Sequence, residues 1–309
     1  MSIKKRHHYI PKFYLEGFID PHNRPYLWVY EKGNKKIIKA TSKDIAVEKH
    51  YFSFLMLDGE RNSDTLENVM AEIERNSAPI FKKIIRGQSL SKEDKAYFAT
   101  FLAFMMIRVP NFRKNIENAI GELMKRISMV SASNRRAFEA MIKRYEKDTR
   151  KKINMPIEEL RKWVLEGEYD IKANPELALG MALSTTRELF PVFLGMKWTF
   201  VRATDEYKFL TSDNPLFYCD PTHDPNSFYG VGLINKNVEV TFPIFKDLAL
   251  FASWKDRGTY IQGKNRLVKD INKRTILAAS RFVFSSGKSD DINKLVQKYK
   301  NSAPVIKVS

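Results

Sequence analysis

One cysteine, Cys219, stands in 309 residues. A single thiol excludes an intramolecular disulfide and any cysteine-based zinc cluster. Long apolar runs are missing too. The most apolar stretch, "AYFATFLAFMMI" from Ala96 to Ile107, falls short of the roughly twenty residues a bilayer span needs. It reads as a buried core helix, and no membrane partner is expected. No apolar segment follows the polar, basic opening residues, so no secretory signal is expected and a reducing cytoplasm is the natural address. The sequence has no P-loop, GxSxG, HExxH or CxxC. "GVG" at Gly230–Gly232 lacks any surrounding phosphate-binding fingerprint, so no organic cofactor is indicated. Acidic residues are the scarcer charge, 36 against 53 Lys and Arg, which leaves a net +17.

That excess favours polyanionic partners, because each Lys or Arg near a phosphate releases a condensed counterion. Hydrophobic content of 43% and aromatic content of 12% indicate a folded chain with a real core. Three zones follow one another without a repeat or a Gly/Ser linker. Residues 1–58 predict a short helix after Pro11 and a hairpin in which "YLWVY" and "KKIIKA" flank Gly33-Asn34. "HYFSF", His50 to Phe54, is a further strand candidate.

Residues 62–196 predict helices. Leu66, Val69, Met70, Ile73, Ile80, Phe81 and Ile84 mark one apolar face, and Ile116, Ile120, Leu123, Met124 and Ile127 another. Ser91 and Asp94 resemble a capping arrangement, Pro110 ends or kinks the Ala96–Ile107 helix, and Asn174-Pro175 opens a later one. Residues 197–309 switch to short aromatic and β-branched strands, with a closing helix after Gly287. The expected fold is α+β, a central helical bundle packed against a mainly antiparallel β region built from both ends of the chain. One interwoven domain over 1–309 is the economical reading.

Few side chains carry chemistry. His7 and His8 are neighbours whose side chains point to opposite faces of an extended segment, so one can serve as base or ligand while the other packs. Lys4, Lys5 and Arg6 precede them as a basic lead-in that would lower a histidine pKa. "TSDNP", Thr211 to Pro215, forces a turn after an apolar strand. It either presents Asp213 and Asn214 as base or ligand, or uses Asp213 to accept backbone N–H groups. Glu67 and Glu74 share a helix face but stand about 10.5 Å apart along it, too far to share one metal. Arg108, before Val109-Pro110, is the cation most open to structural constraint. "RRAFEAMIKRYEKDTRKK", from Arg135 to Lys152, holds eight Lys or Arg against three carboxylates. It reads as a solvated face with pairs such as Glu139–Lys143, or as a polyanion surface carried by Arg135, Arg136, Lys143 and Arg144.

"HHYIPKFYLEGF", the helix bearing Glu67 and Glu74, "RVP" at Arg108–Pro110, "FLTSDNP", "VTFPI" and "RFVFSS" occur in that order. The set resembles the bacterial domain-of-unknown-function family 4238 over nearly the whole chain. The resemblance implies an intracellular bacterial protein and brings no reaction with it. Two readings follow. In the first, the chain is a metal-dependent phosphodiesterase or nuclease of nucleic acid, a toxin or phage-defence effector by setting. His7 or His8 is then base or ligand, Asp213 ligand or orienter, Asn214 or Arg108 the phosphate holder, and Mg²⁺ or Mn²⁺ the metal. In the second, it binds nucleic acid or another partner without catalysis, and the His and Asp groups form a structural polar network. The geometry between the histidines and Asp213 separates the two.

Overall fold

The structure is a computed structural model that describes residues 6–52, 54–55, 61–62, 64–224, 227 and 230–305. Contacts group the chain into two compact units, Met1–Arg113 with Ala182–Val305, and Lys114–Met181. Where the sequence reading has one interwoven domain, interweaving of the two chain ends is a property of the first unit.

The first unit opens with β1 (Arg6–His8), α1 (Lys12–Glu16), β2 (Tyr26–Glu31), β3 (Ile37–Thr41), β4 (Val47–Lys49), β5 (Phe54–Leu55) and β6 (Arg61–Asn62). Helices α2 (Asp64–Ile85) and α3 (Lys92–Ile107) follow. At the start of α3 the Ser91 hydroxyl accepts the Asp94 N–H and the Asp94 carboxylate accepts the Ser91 N–H, each at 3.0 Å. The shorter acid therefore completes the capping box that Glu or Gln usually closes. The chain leaves this unit along α4 (Pro110–Ser133) and re-enters it along α7 (Pro175–Gly195).

After α7 come β7 (Lys197–Arg202), β8 (Thr211–Ser212), β9 (Phe217–Cys219), β10 (Glu239–Phe245), β11 (Leu248–Ser253) and β12 (Tyr260–Gln262). The chain then forms α8 (Asn265–Ala278), β13 (Phe282–Ser285) and α9 (Asp290–Lys298). Five strands pair in the order β12-β7-β11-β10-β9, and four in the order β3-β2-β13-β8. Only β12–β7 is parallel among these pairings. Every residue of β11, "LALFAS", is buried, as expected of a strand covered on both faces. The second sheet joins the predicted β2–β3 hairpin to β8 and β13 from the far end of the sequence, so the α+β expectation holds.

Tyr14 of α1 ties the opening motif to two distant ones. Its hydroxyl donates to the Pro243 carbonyl at 2.7 Å and lies 2.7 Å from Thr211 Oγ1. With its one proton spent on Pro243, the phenol oxygen accepts the Thr211 hydroxyl proton. Gly17 is needed beside this contact, since a Cβ there would stand 3.0 Å from Phe245 Cδ2. Tyr14→Phe leaves two buried groups without a partner and is expected to cost about 2–3 kcal/mol. A drop in the urea midpoint at unchanged slope would report that cost; an unchanged midpoint would mean the pair contributes nothing.

The second unit contains the rest of α4, with α5 (Arg135–Thr149), α6 (Ile157–Glu166) and the start of α7. Its core is small, built around Ala132, Phe138, Ile142 and Val164. The apolar stripe expected on α4 is buried at Ile120 but open at Leu123, Met124 and Ile127. Among the described residues α7 is the one helix long and apolar enough to cross a membrane by length and composition. Its second half, however, packs Leu189 and Phe193 into the large core of the first unit.

Candidate functional site

Strand β1 alternates as its extended backbone demands, with Arg6 exposed, His7 buried and His8 half-buried. His7 lies opposite Glu48 in the β1–β4 ladder and stacks on Phe52, with ring centroids 5.8 Å apart. Its Nδ1 accepts the Phe52 backbone N–H at 3.0 Å. In the neutral ring the proton therefore sits on Nε2, which faces Glu67 at 3.8 Å. The lone pair that a general base or metal ligand would use is already committed to a backbone amide.

His8 is arranged differently. Its Nε2 lies 3.3 Å from the Lys43 carbonyl and donates to it. Burial lowers its pKa, and the Lys12 and Arg6 charges lower it further. The cationic lead-in thus acts as expected at Arg6; Lys4 and Lys5 lie outside the described residues.

Arg108 ends α3 with its side chain almost wholly buried. Nη1 donates to Glu74 at 2.9 Å, and Nη2 to the His8 carbonyl at 2.8 Å. The guanidinium also lies over the Phe52 ring, 5.8 Å from its centroid. Arg108, Glu74 and Glu67 thereby fix β1 to α2 and α3. Both terminal nitrogens are thus taken by protein acceptors, while the buried Nε has no hydrogen-bond partner among the described residues.

Asp213 follows edge strand β8 and is buried. Its Oδ1 accepts the Ser280 N–H at 2.8 Å, and its Oδ2 accepts those of Arg281 at 2.7 Å and Phe282 at 3.0 Å. Burial pushes the carboxyl up to about 6, against the pull of these donors and of the Lys32 charge. Lys32 is a residue that sequence reasoning missed, because nothing in a hairpin turn marks it as half-buried against distant carbonyls. Its ammonium donates to the carbonyls of Ala279 and Ser302, both at 2.6 Å, and burial pushes its pKa down to about 8. Asn214 donates from Nδ2 to the Ala278 carbonyl at 3.0 Å, and its backbone N–H meets Ser212 Oγ at 3.2 Å.

Neither His7 nor His8 is a hydrogen-bond partner of the Asp213 carboxylate, so the structure gives no direct link between the histidines and that acid. The reason is local. Three amides leaving α8 for β13 converge on Asp213 and take both oxygens, so the turn keeps the acid to itself. The two motifs do meet, but through Tyr14 and Thr211. His7 Nδ1 and both Asp213 oxygens already face N–H donors, so these two residues present no open donor set to Mg²⁺ or Mn²⁺. No three-carboxylate or histidine cluster suited to a metal occurs among the described residues. Cys219 is half-buried, and burial pushes its thiol up, away from an activated nucleophile.

A family model described as "Protein of unknown function (DUF4238)" matches residues 6–289. The chain belongs to this family. The match spans the opening motif, the Arg108 corner and the Asp213 turn, so the three polar locks all fall within the family's span. No curated protein and no solved structure matches the chain.

On α5 the basic residues divide. Arg135 pairs with Glu139 at 2.9 Å and Glu158 at 3.1 Å, and Arg144 approaches Asp148 at 3.5 Å. Glu139 thus bonds to Arg135, and the charge of Lys143, its expected partner, also acts on it. Arg136, Lys143 and Lys147 are exposed and form no ion pair among the described residues. At 3.6 residues per turn they fall within roughly 40° of arc, opposite Phe138 and Ile142.

Proposed function

We propose that this member of the DUF4238 family binds nucleic acid without catalysing a reaction on it, and that α5 supplies one electrostatic contact. The observation that supports this reading is the stripe of Arg136, Lys143 and Lys147, three exposed cations that form no close salt bridge among the described residues, on one helix face of a chain carrying +17. Solvated cations opposite a packed face cost little to present and release counterions when they meet phosphates. Arg135 and Arg144, held by carboxylates, contribute less. His7, Arg108 and Asp213 act as internal fasteners in this reading.

Fluorescence polarisation with labelled RNA and DNA between 50 and 300 mM salt tests it. Binding is expected to weaken steeply with salt, and changing Arg136, Lys143 and Lys147 together to alanine should reduce the log–log slope by about 2–3. No binding at low salt, or a slope unchanged in the triple variant, would overturn the assignment. Incubation with Mg²⁺ or Mn²⁺ should leave the oligonucleotides intact. Cleavage that survives purification to homogeneity and is lost in His8→Ala would restore an enzyme.

A further inference from the structure

The four-stranded sheet packs one face of β2 into the core and covers the other only in part. Leu27 and Val29 point into the large core. On the reverse face Tyr30 and Val283 are sealed with α9 residues such as Val296. Toward the start of β2 that cover ends. Tyr26 is 42% exposed and Trp28 half-buried. Two residues apart on a strand, the rings share one face, with Thr41 opposite Tyr26 and Lys39 opposite Trp28 on β3.

Cations surround these rings. Lys39 Nζ stands 4.6 Å from the centroid of Trp28 and 5.9 Å from that of Tyr26, and Lys288 Nζ stands 5.8 Å from that of Trp28. Thr41 also lines a groove of about 340 Å³ together with Arg24, Lys43 and Glu16. The side chains of Arg24, Lys43 and Lys288 form no ion pair with a described residue. The nearby acids are Glu16 in the groove, Asp44, which accepts the Thr41 hydroxyl, and Asp290 two residues beyond Lys288.

We propose that this face is a stacking platform for single-stranded nucleic acid, with unpaired bases on Tyr26 and Trp28 and the backbone phosphates drawn by Lys39 and Lys288. The inference rests on the nucleic-acid reading above and narrows it to unpaired strands. Charge decides the occupant: two lysines, Lys39 and Lys288, stand against two adjacent rings and match a chain that alternates phosphates with flat aromatic faces. A duplex offers no free base faces to such a platform. Lys39 also donates to Asn23 Oδ1 at 2.9 Å, and a phosphate can replace that neutral acceptor as a base displaces the ammonium from the ring.

The test uses the full chain with a labelled single-stranded 12-mer and its duplex. The single strand should bind at least fivefold more tightly. Tyr26→Ala, at an exposed ring, should weaken that binding fivefold or more while leaving duplex binding unchanged. Tryptophan fluorescence should be quenched by the single strand, and the quenching should vanish in Trp28→Phe. Equal affinity for both forms, with no quenching and no effect of Tyr26→Ala, would overturn the platform. If the Arg136/Lys143/Lys147 variant still weakens binding in that case, the broader reading stands. Failure of the wild-type chain to bind either form at low salt removes both.

Discussion

Asp213→Ala is expected to cost about 2–4 kcal/mol at pH 7, because three buried amides lose their acceptor at once. The donors are the N–H groups of Ser280, Arg281 and Phe282, which carry the chain from α8 into β13. No other element supplies an acceptor for them, so the corner either opens to water or stays unsatisfied. Unfolding in urea measures the loss.

The effect should also depend on pH in a defined direction. Burial raises the Asp213 carboxyl to about 6, so the folded state keeps a proton that the unfolded chain has released between about pH 4 and pH 6. The stability this group contributes is therefore fully present below its ordinary pKa and is lost as pH rises through 6. The gap between wild type and Asp213→Ala should be larger at pH 4.5 than at pH 7, by roughly 1–3 kcal/mol. A gap that widens toward neutral pH instead would mean that the three donors outweigh burial and hold the carboxylate ionised.

The second large effect is expected at Arg108. Arg108→Met removes a buried guanidinium that joins Glu74 of α2 to the His8 carbonyl of β1. Breaking a buried pair from one side costs about 3–5 kcal/mol, and the partial exposure of Glu74 reduces this to roughly 2–4. Arg108→Lys should recover only part of the loss, because one ammonium cannot reproduce the two-pronged geometry that meets both acceptors. Nucleic-acid affinity per folded molecule should not change in either variant. A folded Arg108→Met protein that no longer binds would move Arg108 from the frame to the binding surface.

These two positions show how far local sequence can be read. The β2–β3 hairpin, the Ser91 cap and the helix start at Asn174-Pro175 were legible because turn and cap chemistry is settled within four or five residues. The opposite facing of His7 and His8 was legible from strand geometry alone. Arg108 was recognisable as a constrained cation at the end of an apolar helix, although its partners were not. The ambiguity at "TSDNP" was also correctly drawn, since an aspartate before a turn can either reach outward or bind amides. Nothing within the motif chooses between those outcomes. The choice lies with residues 280–282, nearly seventy positions away, whose N–H groups arrive only when β13 pairs with β8.

The same reason explains what was missed. Tyr14 joins Thr211 across 197 residues, and half-buried Lys32 donates to the carbonyls of Ala279 and Ser302. A side chain's partners at that separation follow from strand order, which no periodicity records. Composition and local pattern by themselves determined that this chain is a basic α+β protein, where its main hairpin and several helix ends lie, and which polar residues are unusual. Tertiary structure alone decided that His7, Arg108 and Asp213 fasten the fold from inside, and that Arg136, Lys143, Lys147 and the Tyr26–Trp28 face meet solvent. Burial and pairing depend on which distant segments arrive beside a residue, and only the folded chain brings them there.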